Sequence, residues 1–435
     1  MQMDKNTKEK LNTQPYKGAR DFYPEDMKMR NFIFENWKKV CKFYGYEEYD
    51  GPFLESFDLY AAKSGEELVN EQLYSFVDRG NRKVAIRPEM TPTLARMVAK
   101  KINEIVKPVR WFSIANFWRY EKPQRGRGRE FFQLNADIFG VDGIEADFEI
   151  ISLMADLMRA FNAREGMFEI RINSRKLMDD FYKKLNLNES QKKIVNKAID
   201  KRQKISKQEF EEWLKDDAKL DKKQLEKLVN FIENPYPTLK ELLKENSTGA
   251  LEIKNILKLI EDYQLNNLVK FNPSVIRGLD YYTGMVFEIF DLNPKNIRAI
   301  AGGGRYDDLV NLFCREKLTG TGFAMGDITL QDFLETWNLL PKFENDCEYF
   351  VTLWPSQNPK FLEKTLEISS ILRDKGKNVS TWIEKDTKID KQLKYADKKG
   401  FKYVVIFGEN EMKKNTVTIK NMLTKTQSEV EIKNI

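Results

Sequence analysis

The sequence predicts an α+β multidomain protein. Three observations carry that prediction. Strand-and-turn language fills two blocks, one before about residue 175 and one after about 270. A block rich in Lys, Glu, Asn and Leu, with helical periodicity and almost no strand signal, lies between them. The last ~90 residues alternate as β-α-β-α-β-β, the pattern of a small α/β domain with a mostly parallel sheet. At 435 residues the chain is too long for one ordinary domain, and 41% hydrophobic with 32% charged residues suits a globular chain with real cores. The expected division is a disordered tail at 1–15, a core at 16–174, a helical insertion at 175–270, a return to the core at 271–340, and the α/β domain at 346–435.

The opening stretch MQMDKNTKEKLNTQP is polar and lysine-rich and lacks an apolar h-region, so no signal peptide is expected. EDMKMRNFIFENWKKVCKFY (25–44) places Phe32, Ile33, Trp37, Val40 and Cys41 at helical spacing. KVAIRPEMTPTLARMVAKKI reads as strand, tight loop and helix, with Thr91 as the cap and Pro92 at the first helical position. PVRWFSIANFWRYE (108–121) and REFFQLNADIFGV (129–141) flank KPQRGRG, which predicts an antiparallel pair joined by a mobile basic loop. Residues 144–163 read as a helix and FEIRINS (168–174) as a strand. NPSVIRGLDYYTGMVFEIFD (272–291) and IRAIAGGGRYDDLV (297–310) read as strands and turns, and GFAMGDITL (322–330) leads into a helix.

Composition narrows the chemistry. The chain has no histidine, which removes the commonest general base and metal ligand. Any chemistry must use Arg, Lys, carboxylates, hydroxyls or backbone, and reactions done mainly by positioning and electrostatics survive that restriction best. Cys41, Cys314 and Cys347 are too scattered for a disulfide framework or a thiolate zinc site, so a reducing compartment and no metal site are expected. No run approaches the ~20 apolar residues of a membrane span. The net charge of +6 permits nucleic-acid binding without demanding it.

Several residues have the right types for a nucleotide site. On a strand, Arg119 and Glu121 share one face, and Phe131 and Gln133 share another. An arginine fork grips phosphate, a ring stacks on a base, and polar groups read edges. Lys122, Arg125, Arg127 and Arg129 surround the turn between them; the same pattern fits a solvated basic hairpin. Arg277 is set between apolar residues and a Gly-Leu-Asp turn, followed by Tyr281 and Tyr282, which fits a functional arginine or a buried Arg277–Asp280 structural pair. The glycines of AGGGRYDD allow close backbone approach or simply a turn. Glu89 and Thr91 stand just before a helix N-terminus, where a carboxylate can meet an ammonium group.

These motifs resemble a known family. KGARDFYPEDM through YDGPFLES resembles motif 1 of the class II aminoacyl-tRNA synthetases, and FWRYEKPQRGRGREFFQLNADIFG resembles motif 2. IRGLDYYTGMVFE and AGGGRYDDLV resemble the two signatures of the histidyl-tRNA synthetases, and the last ~90 residues resemble that family's anticodon-binding domain. The resemblance implies the class II antiparallel sheet flanked by helices, with motifs 1 and 2 in 16–174 and the histidine signatures and motif 3 in 271–340. It implies ligation of L-histidine to tRNA(His) through a histidyl-adenylate, with ATP as substrate and Mg²⁺ carried on the ATP phosphates. It also implies a cytoplasmic homodimer that is not bound to a membrane.

Residue by residue, it implies that Arg119 grips the α-phosphate, with Arg277 opposite as the main catalytic group. Glu121 lies near the adenine and Phe131 stacks on it. Glu89, Met90, Thr91 and Gln133 surround the substrate ammonium, with Arg119 and Arg277 also counted as histidine-binding. Asp137 and Tyr282 read the imidazole, with Tyr281 beside them. Lysines 385, 388, 391, 394, 398 and 399 near one C-terminal helix, interleaved with Asp386, Asp390 and Asp397, and Lys183, Lys184, Lys192, Lys193, Lys197, Lys201 and Arg202 in the insertion, are either a solvated face or candidate tRNA contacts. The alternative is a catalytically idle, synthetase-like regulatory subunit of ATP phosphoribosyltransferase; that reading predicts loss of the C-terminal domain and eroded ATP residues, whereas 346–435, Arg119, Phe131 and Arg277 are present.

Two positions depart from the family pattern. Phe132 stands where relatives often place histidine. GFAMGDITL occupies motif 3, and Thr329 stands where the family carries an arginine that packs on adenine and reaches the γ-phosphate. Gly322 and Gly326 still suit close backbone approach, and Phe323 and Met325 suit packing. Arg127, Arg129 and Arg305 are the expected substitutes for the missing cation.

Overall fold

The runs VRWFSIANFW and EFFQLNADIF pair as antiparallel strands, Val109–Trp118 against Glu130–Phe139. The computed structural model describes residues 11–62, 68–202, 205–276, 281–355 and 357–435. The chain divides into two compact units, Met1–Leu340 and Pro341–Ile435.

In the first unit, among the described residues, the pair belongs to an eight-stranded sheet. Its order is Glu47–Glu48, Val109–Trp118, Glu130–Phe139, Gly320–Gly326, Ala299–Arg305, Met285–Asp291, Phe168–Ser174 and Val269–Phe271. Inner pairings are antiparallel, and each edge strand joins in parallel. A small antiparallel sheet (Leu54–Ser56, Lys83–Ile86, Ser75–Val77) leads to the helix Thr91–Lys100. Thr91 is the first helical residue, not the cap. Met90 holds the cap position without a side-chain cap bond, and Pro92 sits in the first turn.

The middle strands explain why one face of the sheet is a core and the other a groove. Phe323 and Met325 point into a hydrophobic cluster with helix Pro24–Phe43, which buries Ile33, Trp37, Val40 and Cys41, and helix Ile144–Ala160, which buries Ile150, Met154 and Leu157. The Trp37 indole N–H donates to Met325 Sδ at 3.2 Å. The alternate residues Gly322, Ala324 and Gly326 are small, so the opposite face has little to fill it.

Residues 175–270 form the helices Arg175–Lys184, Glu189–Lys201, Lys207–Asp216, Lys222–Glu233, Pro235–Lys244 and Thr248–Asp262. Ser174, Asn188, Ser206, Asp221 and Ser247 cap five of them by accepting a backbone N–H. Phe181, Val195, Phe210, Phe231 and Ile253 from these helices lie in the same hydrophobic cluster as the sheet. The insertion is therefore not a separate body, and Val269–Phe271 returns it to the sheet edge.

In the second unit the strand order is Val379–Thr381, Tyr349–Val351, Tyr403–Ile406, Thr416–Asn421 and Gln427–Glu431. The first three are parallel and the last two antiparallel. The helices Pro359–Asp374 and Ile389–Lys399 follow the first two strands in sequence. A short helix, Glu409–Lys414, and the strand Gln427–Glu431 go beyond the sequence reading, because both are polar and lack apolar periodicity.

Candidate active site

The sparse face of the large sheet is the floor of a cavity of about 700 Å³. Phe131, Gln133 and Asn135, alternate residues of one strand, form one side of it. Gly322, Ala324, Gly326 and Gly302 keep the middle low, and Glu288, Phe290 and Arg171 rise beyond them. Glu89, Thr91, Tyr281, Tyr282 and Tyr306 also line it, as do Arg119, Glu121 and Arg127 from the segment after Trp118.

Arg119 and Glu121 reach the cavity differently from the sequence reading. The strand ends at Trp118, so side-chain alternation does not place them. A tight turn does: Glu121 N–H donates to the Arg119 carbonyl at 2.7 Å. The Arg119 guanidinium donates from Nε to the Pro88 carbonyl at 2.9 Å and lies 5.2 Å from the centre of the Phe131 ring. Phe131 in turn stacks on Phe117, with centroids 5.9 Å apart. A fork and a ring each held in place by its neighbours are preorganised for a nucleotide. The basic loop is ordered by paired backbone hydrogen bonds between Gln124 and Arg127, and Gly126 adopts the positive φ its turn requires. Arg127 forms an ion pair with the buried Glu121.

Two hydroxyl–carboxylate pairs border the same space, one of them at Glu89, next to the Pro88 carbonyl that holds Arg119. Tyr281 donates to Glu89 at 3.0 Å. Tyr306 donates to Asp137, and burial pushes that carboxyl up to about 7 against the pull of the tyrosine hydrogen bond. Asp137 lies beneath the cavity rather than along it, and Tyr306 is the member of the pair that lines the space. Tyr282 packs on Tyr281 with centroids 4.8 Å apart. Burial raises the Tyr281 and Tyr306 hydroxyls well above the usual tyrosine range, so both remain hydrogen-bond donors.

Several expected site residues are elsewhere. Arg305 is buried in the core, donating to Asp147 at 2.8–3.2 Å and to the carbonyls of Val141 and Gly143 at 3.0 and 2.7 Å. It does not line the cavity, because it pairs opposite Thr321 on the sheet face that packs against helix Ile144–Ala160, and both residues bond Asp147 of that helix. Arg129 lies over Tyr120, 4.0 Å from its ring centre, and donates to the Tyr16 hydroxyl at 2.8 Å, also outside the cavity. The Met90 side chain packs with Ala115 and Phe117. Phe132 faces Phe22, Phe34 and the Arg30 guanidinium. Arg277 lies outside the described residues.

Other residues enter that the sequence reading did not name. Tyr306 belongs to the quoted AGGGRYDD and is brought in by Asp137. Asn135 lies between Gln133 and Asp137 at strand period two, a signal that was available; it is buried, lines the cavity, and its Nδ2 has no hydrogen-bond partner. Arg298 also lines the space, beside Thr329, and no motif pointed to it.

Comparison with known proteins bears on this geometry. The Histidyl-tRNA synthetase family profile matches residues 18–328, and the Anticodon binding domain profile matches 351–435. A histidine–tRNA ligase of Leptospira biflexa is 46% identical over 422 residues, 96% of this chain and 95% of the relative. The solved histidyl-tRNA synthetase of Nostoc superposes with a TM-score of 0.81 at 24% identity, covering 97% of each chain. A Bacillus halodurans protein described as an ATP phosphoribosyltransferase regulatory subunit/histidyl-tRNA synthetase gives 0.76 at 21% identity over 92% of this chain and 99% of that one. Both superpositions establish the shared fold, whereas the ligase identity runs the length of the chain. By the match of more than half its length to the family profile and by that identity, the chain belongs to the histidyl-tRNA synthetase family.

Proposed function

We propose that this chain is a histidine–tRNA ligase. It activates L-histidine with ATP and then transfers the histidyl group to the 3′ end of tRNA(His). The observation that supports this best is the convergence about one cavity, in a chain 46% identical to a histidine–tRNA ligase, of Arg119 and Phe131 with the Glu89–Tyr281 and Asp137–Tyr306 pairs.

The histidine carboxylate is ionised at neutral pH, so it attacks the α-phosphorus without a protein base, and pyrophosphate leaves. A histidine-free protein can therefore run the step. Arg119 spreads the charge of the transition state, and Arg277, by family resemblance, does so from the opposite side; each fork is worth roughly 10²–10³ in rate by analogy with oxyanion donors. Phe131 stacks on the adenine. Glu89, Thr91 and Gln133 hold the ammonium group, and Asp137 with Tyr306 and Tyr282 reads the imidazole. Mg²⁺ belongs to the ATP substrate, held by its β- and γ-phosphates. The chain acts as a cytoplasmic homodimer, as motif 1 implies. Among the described residues no helix is long and apolar enough to cross a membrane.

Histidine-dependent ATP–pyrophosphate exchange, followed by charging of tRNA(His), tests the proposal. Exchange that responds to histidine and to no other amino acid supports it. Binding of tRNA without any exchange favours the idle regulatory subunit.

A further inference from the structure

Resting on that reading, we propose that Arg298 holds the terminal phosphates of ATP in this chain, taking the place of the cation absent at Thr329, and that Thr329 positions it.

The cavity arginines differ in how they are occupied. Arg127 is paired with Glu121, Arg171 with Glu169 at 2.8 Å, and Arg119 is anchored on the Pro88 carbonyl. Arg298 makes no ion pair among the described residues. Its side chain lies beside the tip of the basic turn. A side chain on Gly126, at the tip of the basic turn, would meet Arg298 Cδ at 3.1 Å, Asp332 Oδ2 at 3.5 Å and Thr329 Cγ2 at 3.5 Å. Arg298 and Thr329 therefore flank one spot of the cavity wall. Asp332 is engaged by the Gly126 backbone and by Arg125, 3.8 Å away.

The backbone next to Arg298 is irregular. Pairing between Ala299–Arg305 and Met285–Asp291 slips between Ala299 and Ala301, a bulge centred on Ile300. Bulges beside active sites re-aim side chains. The Thr329 hydroxyl donates to the Ile300 carbonyl at 3.2 Å, so it ties helix Asp327–Thr336 to the bulged residue. An arginine at 329 has no β-hydroxyl to make that bond. The absent cation and the bulge are thus two sides of one arrangement.

Electrostatics agree with an anion here. Burial, and then the nearby Arg127, push the Arg298 guanidinium below the usual arginine range. Two cations held together and partly desolvated are relieved by a polyanion between them. A triphosphate is the polyanion this reaction supplies.

The test measures ATP and AMP binding by equilibrium titration, alongside pyrophosphate exchange. Arg298→Ala is expected to weaken ATP roughly 10- to 100-fold, the size of a charged hydrogen-bond loss, with AMP binding and the KM for histidine unchanged. Arg298→Gln is expected to do the same if the alanine variant folds poorly. Thr329→Val is expected to raise the KM for ATP by a smaller factor with little change in kcat, and Arg298→Ala/Thr329→Arg to recover part of the ATP affinity. ATP affinity unchanged in both Arg298 variants, or ATP and AMP weakened equally, overturns the assignment. Absence of histidine-dependent exchange in the unaltered protein would instead fail the ligase reading, and the ATP-against-AMP comparison would still decide the role of Arg298.

Discussion

Single residues in this chain are assigned by what already occupies them. Arg305 and Arg298 stand seven positions apart with identical chemistry. One is consumed by Asp147 and two carbonyls, and the other faces the cavity. Arg305→Met should therefore lower stability by about 3–5 kcal/mol, the usual cost of leaving a buried charge unpaired, and leave the KM for ATP unchanged in the folded fraction. Urea unfolding with steady-state kinetics checks both, and a raised KM with intact stability would return Arg305 to the nucleotide site. Asn135 is the converse, a buried amide aimed at the cavity with an unpartnered Nδ2. Asn135→Ala should raise the KM for histidine about three- to tenfold, the worth of one hydrogen bond, and leave the KM for ATP alone. Asp137 adds a pH signature. Its folded value, raised to about 7 by burial, exceeds the unfolded one, so the folded state binds the extra proton and stability falls as pH rises between about 4 and 7. Relative to Asp137→Asn, the unaltered protein should lose up to about 2–3 kcal/mol between about pH 5 and about pH 8; a constant gap would mean that the carboxyl titrates low.

Among the elements, the strands Ala299–Arg305 and Gly320–Gly326 decide whether the cavity exists. Their glycines do different jobs. A side chain on Gly303 would lie 2.0 Å from the Gly322 carbonyl oxygen, so only glycine lets these strands pair. One on Gly326 would meet only the Thr329 hydroxyl, at 3.3 Å. Gly303→Ala should cost about 3 kcal/mol or more, whereas Gly326→Ala should unfold near the unaltered midpoint. Equal midpoints would refute the close-approach argument. The insertion lysines show a related division: Lys184 bonds Glu241 and Glu245, and Lys192 bonds Glu189, so these charges serve local structure first. Capping was legible here, because Asn188, Ser206 and Asp221 each precede Gln or Glu at the third helical position. The loop at Gln124–Arg127 was not, because its order comes from a backbone bridge that composition does not announce.

At the scale of the molecule, the two units have separate cores. Val351, Ile368, Val405 and Val417 form a cluster within Pro341–Ile435, a unit of the size that folds alone. Residues 1–340 should therefore keep histidine-dependent pyrophosphate exchange, and 341–435 should unfold cooperatively by circular dichroism. Charging of tRNA(His) by the first fragment should fall at least about tenfold. Loss of exchange from the first fragment would show that the second unit is needed for the chemistry.

The sequence alone determined the strand and helix order, because apolar periodicity and caps are local and each element carries its own. The resemblance of its motifs to those of the histidyl-tRNA synthetases also pointed to the reaction class, which a chain without histidine can run by positioning and electrostatics. The tertiary structure decided which cations serve the site. Arg305 and Arg129 looked available in the sequence, but their partners Asp147, Tyr16 and Tyr120 come from other elements or from across the loop. Arg298 looked unremarked, and a bulge held from another element by Thr329 brings it to the wall. Pairing and desolvation depend on neighbours distant in sequence, so a residue's charge is written in the chain and its availability only in the fold.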